Sequence, residues 1–426
     1  MAQKYIAYIF RSLFIVIATI LFVDSCLSGF SRPLFVTYSI GIITCNLYCL
    51  WRVRKNVNLL IVFSLILFFN YSITIANYLV HFDNNSFVSP IDSFYSIKSL
   101  NLLFAFNYLL VYAVPRNVVE TKKVDTNNYM SWNKMTSYCA LLILVYILIF
   151  EFVKPDITGE RGSGTPIYEY SIIIALFACL TLSTRKYIKY FFLIVFLAFI
   201  IQEVVYGGRI VALQYLIIIY IFFISPKYKL RQIAPLLIIG YIFFSLIGAV
   251  RGNLLMSTFS LVDIIRPITK EFLALDTAYS AYYTSEMFIR LVEQTPWHVR
   301  LDLLVDFVKS IFIGESGVLH DRALPRYVYS YYWHCFGGML PYYFYFYLGV
   351  LGIVISILLL KLYFNIINKV SFYQYPLYAM IGLYIVIATP RWYLYSPLGL
   401  FRSVIFIVLI YCVFKVINRL FNLLFK

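Results

Sequence analysis

The stretch "EVVYGGRIVALQYLIIIYIFFISPKYK", residues 203–229, indicates how this chain folds. Its apolar run begins at Arg209 and ends near residue 224, close to the length of about 20 residues that a helix needs to cross a bilayer. Gly207 and Gly208 precede the run, and a basic segment follows it. An ionised group at the end of an apolar helix costs free energy unless it pairs with another charge or has a functional role. Arg209 therefore marks both a membrane helix and a candidate site.

The composition of the whole chain is typical of a membrane protein. Of its 426 residues, 62% are hydrophobic and 13% are charged, and the mean hydropathy is +0.84. A soluble globule is about half apolar and about a quarter charged. The net charge of +16 is scattered over short loops, so we expect no nucleic-acid partner. The first apolar run is too long for a signal peptide and is interpreted as a retained span.

The apolar runs predict an all-α polytopic membrane protein with about twelve transmembrane helices. The predicted spans lie near residues 6–27, 33–51, 57–80, 96–114, 136–152, 168–183, 190–206, 209–224, 233–250, 341–362, 375–390 and 399–417. Three regions follow from this division: residues 1–250 with the first nine spans, a long connection at 251–340, and residues 341–426 with the last three.

The distribution of Lys and Arg predicts the orientation. Basic residues concentrate in alternate short loops, such as 52–55, 185–189 and 227–231, and cytoplasmic loops carry this excess. Both termini are therefore expected in the cytoplasm, and the connection 251–340 on the outer side. A long ordered loop in a compact protein is usually functional.

The outer connection has helical patterning. In "RLDLLVDFVKSIF", residues 300–312, one helical face carries Asp302, Asp306 and Lys309, and the other carries the apolar residues Leu301, Leu304, Val305, Val308 and Phe312. We expect the connection to be largely helical, to pack over the outer mouth of the bundle, and to form part of a sugar-binding groove.

Arginines recur at one predicted depth on the outer side. Arg209 follows two glycines, Arg251 precedes Gly252, and Arg391 and Arg402 flank the start of the last span. Gly207 and Gly208 permit a sharp turn, a helix N-terminus attracts anions, and a guanidinium matches phosphate oxygens. The pattern predicts a clamp for a membrane-embedded anion such as a pyrophosphate, and the alternative is a ring of arginines that snorkel to lipid headgroups.

A candidate general base lies where the outer connection returns to the membrane. His334, in "YYWHCFGGMLPYYFYFYLGVLG" (residues 331–352), can accept a proton near neutral pH. Glu286 is the second candidate for this role, and packing is the alternative for either side chain. Further candidates are Glu293, Asp276, His298 and His320. No metal-binding or nucleotide-binding motif is present, so we expect no cofactor.

These motifs together resemble the Wzy-type O-antigen polymerases. The resemblance rests on "GGR" opening an apolar helix, the long outer connection late in the chain, the aromatic "FGG" re-entry followed by "LGVLG", and the ending "FRSVIFIVLIY". It implies a GT-C-like membrane glycosyltransferase in a bacterial inner membrane, with its active site facing the periplasm. The reaction would join oligosaccharide repeat units linked to undecaprenyl pyrophosphate.

The resemblance also implies roles and partners. Arg209, Arg251 and Arg391 match the outer arginines of the family, and His334 falls near a histidine of the related O-antigen ligases, although Cys335 stands where the ligases have asparagine. The implied partners are the carrier-linked oligosaccharide, membrane lipids and a Wzz-type co-polymerase that regulates chain length. The alternatives are a lipid-linked oligosaccharide flippase or other transporter, and an O-antigen ligase.

Overall fold

The computed structural model describes most of the chain, with gaps. The described residues are 2–74, 94–121, 134–153, 163–181, 186–206, 209–224, 238, 240, 276–334, 337–370 and 376–424. All of the predicted span 233–250 except residues 238 and 240, and residues 251–275 of the connection, which include Arg251, lie outside them.

Helices make up nearly all of the described structure, as the apolar runs predict. In chain order they are α1 (Ala2–Leu27), α2 (Phe35–Val53), α3 (Val57–Ile73), α4 (Phe94–Ala113), α5 (Lys134–Phe150), α6 (Pro166–Thr181), α7 (Lys186–Tyr206), α8 (Arg209–Ile219, continued by a π-helical turn, Tyr220–Ile224), α9 (Asp276–Val292), α10 (Trp297–Ile313), α11 (Val318–Asp321), α12 (Leu324–Tyr329), α13 (Leu340–Leu348), α14 (Val350–Asn368), α15 (Pro376–Ile387), α16 (Thr389–Leu394) and α17 (Leu398–Leu424). A two-residue strand pair, β1 (Phe152–Val153) and β2 (Ser163–Gly164), bridges α5 and α6.

Several of these helices have the character of membrane spans. Within the described ranges, three are long and apolar enough to cross a bilayer: Phe94–Ala113, Val350–Asn368 and Leu398–Leu423. Shorter apolar helices accompany them: Ser12–Leu27, Val57–Ile73, Met135–Phe150, Ile167–Leu180, Arg209–Ile224 and Pro376–Ile387. The chain is therefore helical with transmembrane character, and the number of about twelve spans stays a prediction.

A polar network lies at the centre of the bundle and joins three helices. Asn70 on α3 donates through Nδ2 to Oδ1 of Asn107 on α4 at 3.0 Å, and the Tyr393 hydroxyl on α16 donates to Asn70 Oδ1 at 2.9 Å. All three side chains are almost fully buried. In an apolar interior each unsatisfied polar group is costly, so such bonds fix which helices meet.

One end of the bundle collects segments that carry the predicted cytoplasmic basic residues. Asn368 Nδ2 donates to the Asn117 carbonyl at 2.8 Å, and Asn368 Oδ1 accepts from the Val119 amide at 2.9 Å. The Thr121 amide donates to the Lys55 carbonyl at 3.2 Å. Segments far apart in sequence, which the charge distribution assigns to one side, thus lie together in space.

The predicted span 341–362 is wrong as a single helix, because the structure divides it at Gly349 into α13 and α14. Gly349 has a φ of 61°, which favours glycine, and its amide donates to the Tyr345 carbonyl at 2.7 Å. A Cβ on Gly352 would lie 1.9 Å from the Phe344 carbonyl oxygen. The two helices pack against each other through this glycine corner.

The described part of the outer connection is helical, as expected. Helix α9 packs against α3, α4 and α13 and buries Phe288 and Ile289 completely. Helix α10 packs against α13 and α17. The short helices α11 and α12 also belong to the described part of the connection and precede α13.

The apolar face of α10 differs from its prediction, because it points away from the protein. We call the residues Trp297, Leu301, Val305, Val308 and Phe312 the apolar stripe; they are 36–74% exposed. The opposite face, with Leu303, Asp306 and Ser310, is buried. Of the predicted polar face, Asp306 lies in the interior, where it has ion-pair partners, whereas Asp302 and Lys309 are exposed. A row of apolar side chains at helical spacing on this exposed face is suited to contact lipid.

Candidate functional site

A cavity of about 240 Å³ lies where the outer connection meets the membrane helices. Its walls come from the inner face of α10, from α11 and α12, from α13, and from the turn after α16. The lining combines aromatic and charged side chains, which include Glu315, His320, Arg322, Arg326, Tyr343, Tyr347 and Tyr395. Such a mixture suits a ligand that has both anionic groups and the apolar C–H faces of a sugar.

Two glycines and a tyrosine shape the aromatic wall. Gly337 and Gly338 have φ values of 89° and 133°, which favour glycine. The Gly338 amide donates to the Leu394 carbonyl at 3.1 Å, and the Tyr343 hydroxyl donates to the Tyr395 carbonyl at 2.7 Å. These bonds join the re-entry segment to the turn after α16. The two glycines of the sequence motif "FGG" therefore have a structural role beside the cavity.

Asp306 connects α10 to the segment after α11 in the opposite wall of the cavity. Its Oδ1 accepts from Lys309 Nζ at 3.0 Å, and Arg322 Nη1 lies 3.0 Å from Oδ2. The Oδ2 contact is an ion pair without hydrogen-bond geometry. Since Asp306 is on α10 and Arg322 follows α11, the pair holds the segment 314–323 against α10. Asp306 is 7% exposed and its charge is compensated.

Glu315 is a carboxylate in the same wall that lacks such partners. Within the described residues, no hydrogen bond or ion pair reaches its side chain. Glu315 is exposed, yet desolvation by the protein atoms around its carboxyl raises the pKa of that group above the ordinary value. The charges of His320, Arg402 and Arg326 oppose that rise. Asp306 and Glu315 thus differ: one is paired, and the other is available to a ligand.

Arg402 lies beside Glu315 at the start of α17. A Cβ on Gly314 would be 2.7 Å from Arg402 Nη2, so the absence of a side chain at Gly314 allows the guanidinium to approach the backbone. The guanidinium also lies over the Phe406 ring, 5.4 Å from its centroid. In the described part of the chain it makes no ion pair. Of the arginines predicted to form the clamp, Arg402 is thus placed next to the cavity.

The other predicted clamp residues lie elsewhere or outside the described residues. Arg209 begins α8, as predicted, and is half-buried. Arg391 binds Glu169 through two hydrogen bonds, Nη1 to Oε2 at 2.6 Å and Nη2 to Oε1 at 2.5 Å. Gly207, Gly208 and Arg251 are outside the described residues. The structure therefore shows Arg391 already paired, and it does not test a joint clamp.

The two predicted bases are both buried. His334 is 1% exposed, and its Nε2 lies 2.9 Å from the Pro325 carbonyl oxygen. A carbonyl can only accept, so Nε2 is the donor. Burial lowers the pKa of the imidazole, and the bond to Pro325 partly offsets this. Glu286 is 4% exposed on α9. Neither side chain lines the cavity, and their catalytic roles stay predictions.

Sequence reasoning missed Glu315 and the arginines of the cavity wall, Arg322 and Arg326. The sequence holds one signal that could have found them. "GESGVLHDRALPR", residues 314–326, holds four types of ionisable residue (Glu, His, Asp and Arg) in a short glycine-containing segment shortly before the aromatic re-entry. Arginines were sought only at membrane helix ends, which excluded this segment.

The cavity and the apolar stripe occupy opposite faces of α10. Asp306, Phe307 and Ser310 line the cavity, whereas Val305, Val308 and Phe312 are exposed on the outside. No family model, curated protein or solved structure matches the chain.

Proposed function

We propose that the protein is an O-antigen polymerase, a membrane glycosyltransferase that joins oligosaccharide repeats carried on undecaprenyl pyrophosphate. One observation carries the proposal: a cavity lined by arginines, two carboxylates and tyrosines lies directly behind a helix whose exposed face is apolar. A lipid pyrophosphate with an attached sugar has the matching parts, an apolar tail, a double anion and a glycan. The sequence motifs named above support the same assignment.

The proposed chemistry needs few parts. Pyrophosphate is a good leaving group, so the protein must stabilise the charge that develops on it and accept a proton from the attacking hydroxyl. The arginines beside the cavity supply fixed positive charge, and arginine keeps that charge in an apolar setting. We place this reaction on the periplasmic side of a bacterial inner membrane, with both termini in the cytoplasm.

A transporter of lipid-linked oligosaccharide is the second candidate. A different observation favours it: Glu203 on α7 is only 5% exposed and lies within electrostatic range of Glu169 and Arg391. Buried carboxylates within membrane helices often belong to ion or substrate pathways. We place the cavity at the outer surface on the predicted topology, and this favours the polymerase because a transporter places its site near the bilayer midplane.

Deletion of the gene tests the proposal in cells. A polymerase mutant keeps lipopolysaccharide capped with a single repeat, and re-expression of the intact chain restores long chains. Loss of every repeat from the surface would favour the transporter or the ligase and would contradict the proposal. Electrophoresis of lipopolysaccharide distinguishes these patterns.

A further inference from the structure

The carboxylates around the cavity suggest a division of roles that the sequence alone does not indicate. Asp306 is held by Lys309 and Arg322 at 3.0 Å each. No hydrogen bond or ion pair reaches the Glu315 side chain in the described chain, and Glu315 lines the cavity. A carboxylate that is fully paired is a weak proton acceptor, because its partners stabilise the charged form. Glu315 is free of that constraint.

The surroundings of Glu315 also suit a reaction that releases an anion. Arg326 lines the same cavity, and Arg402 lies against Gly314, the preceding residue. Both cations interact with the Glu315 charge without bonding to it. A pyrophosphate beside these guanidinium groups would bring its anomeric bond close to the Glu315 carboxylate.

Resting on the proposed function, we infer that Glu315 accepts the proton of the attacking sugar hydroxyl, and that Arg402 and Arg326 face the departing pyrophosphate. The hydroxyl oxygen of the acceptor forms a bond to the anomeric carbon of the donor glycan. The bond from that carbon to the pyrophosphate oxygen breaks, and its electron pair stays on the pyrophosphate. The hydroxyl proton moves to Glu315 and then to water, so the step needs no co-reactant.

The elevated pKa of Glu315 agrees with this role, since the acceptor must hold a proton during turnover and release it afterwards. Other titratable and charged groups face Glu315 and must be separated from it by experiment. They are His320, Arg326, Arg402, Tyr170, Tyr343 and Tyr347. Among them, His320 is the imidazole, so its replacement is the first control.

The test uses the purified full-length protein and carrier-linked repeats extracted from cells that lack the gene. We expect Glu315→Gln to lower the polymerisation rate about 10²-fold or more, and Glu315→Asp to recover part of it. Binding of undecaprenyl pyrophosphate should persist in Glu315→Gln and weaken in Arg402→Gln. The matched control is Glu120→Gln, an exposed carboxylate at the other end of the bundle, which should leave both measurements unchanged.

The pH profile separates Glu315 from its neighbours. In the wild type, the polymerisation rate should rise with pH as the Glu315 carboxyl loses its proton. The same rise should remain in His320→Gln. A normal rate in Glu315→Gln would overturn the assignment while leaving the polymerase proposal intact. So would loss of the rise of rate with pH in His320→Gln alone. A wild-type protein that forms no polymer and does not bind undecaprenyl pyrophosphate would instead reject the proposed function.

Discussion

Arg391 on α16 and Glu169 on α6 form a two-point ion pair, with Nη1 to Oε2 at 2.6 Å and Nη2 to Oε1 at 2.5 Å. The pair connects α16 to α6, which is more than 200 residues away in sequence. Such a planar fork is specific to arginine. Any pyrophosphate that binds Arg391 must compete with Glu169, so the pair has a testable structural role beside its predicted role in the clamp.

Exchanging the two charges separates these roles. The side chains are 35% and 41% exposed, so either single replacement by alanine should cost no more than about 1 kcal/mol. The double variant Glu169→Arg with Arg391→Glu should recover that stability. If Arg391 also binds pyrophosphate, cells with the exchanged pair will hold a stable protein and yet make only single repeats. Long polysaccharide chains in these cells would show that the pair is purely structural.

Asp306 should be a stability residue, in contrast to Glu315. Asp306→Asn leaves Arg322 and Lys309 without their partner. Breaking a fully buried pair costs about 3–5 kcal/mol; because Arg322 and Lys309 are 40% and 56% exposed, we expect about 1–2 kcal/mol here. Thermal unfolding in detergent measures the loss. Asp302→Asn, an exposed position on the same helix, is the control, and an equal shift in both variants would contradict the ion-pair account.

His334 should make stability depend on pH. Burial lowers the pKa of the folded imidazole below its unfolded value, so the unfolded chain binds the proton more readily. The stability contribution is therefore present above the unfolded pKa, and it is lost as the pH falls through the lower folded pKa. Unfolding temperatures between about pH 7 and pH 5 should fall more steeply in the wild type than in His334→Gln.

The same variant tests the catalytic role predicted for His334. With Glu315 as the proton acceptor, His334→Gln should retain polymerisation within a few-fold once protein levels are matched. A loss of about 10²-fold or more in correctly folded protein would return the role of base to His334.

The glycine corner between α13 and α14 predicts unequal effects of adding one methyl group. Gly352→Ala would place a Cβ 1.9 Å from the Phe344 carbonyl oxygen, so the corner must open. At Gly349 no atom lies within 4 Å of the added Cβ, and the cost is limited to the strain of a positive φ, about 1–2 kcal/mol. We expect Gly352→Ala to lower the yield and unfolding temperature more than Gly349→Ala. The reverse order would contradict the packing described for this corner.

The apolar stripe of α10 should lie in the membrane. Spin labels on single cysteines in a cysteine-free background report contact with lipid or water. Labels at Val308 and Phe312 should be accessible to oxygen, which partitions into hydrocarbon. A label at Asp302 should be accessible to a water-soluble reagent added outside the cell. Water-like accessibility at Val308 would place the stripe in solvent, and labelling of residue 302 from the cytoplasm would reverse the predicted orientation.

Periodicity and composition were sufficient to predict the helical class and most helix positions, because apolar runs of fixed length leave few alternatives in a membrane. They did not predict the break at Gly349, which depends on a backbone contact between Gly352 and Phe344. They also did not predict the outward direction of the α10 stripe. An amphipathic pattern shows that one face is apolar, but it does not show whether protein or lipid covers that face.

The site was harder to predict than the fold. Arg209 and Arg402 are predicted because an arginine at a helix end is conspicuous in an apolar sequence, and of the two only Arg402 is placed beside the cavity. Glu315 was not, since its distinction from Asp306 is the absence of bonding partners in the described residues. Pairing between distant segments, such as Arg391 with Glu169, has no sequence signature in a single chain.

The most direct measurement of the central claim uses the purified protein in sealed liposomes with undecaprenyl-pyrophosphate-linked repeats isolated from the deletion strain. We predict a ladder of carrier-linked glycans that differ by one repeat, with one undecaprenyl pyrophosphate released for each bond formed and no lipid A acceptor required. Glycans that stay at one repeat, whether they remain in place or cross the bilayer, would contradict the assignment of this protein as a polymerase.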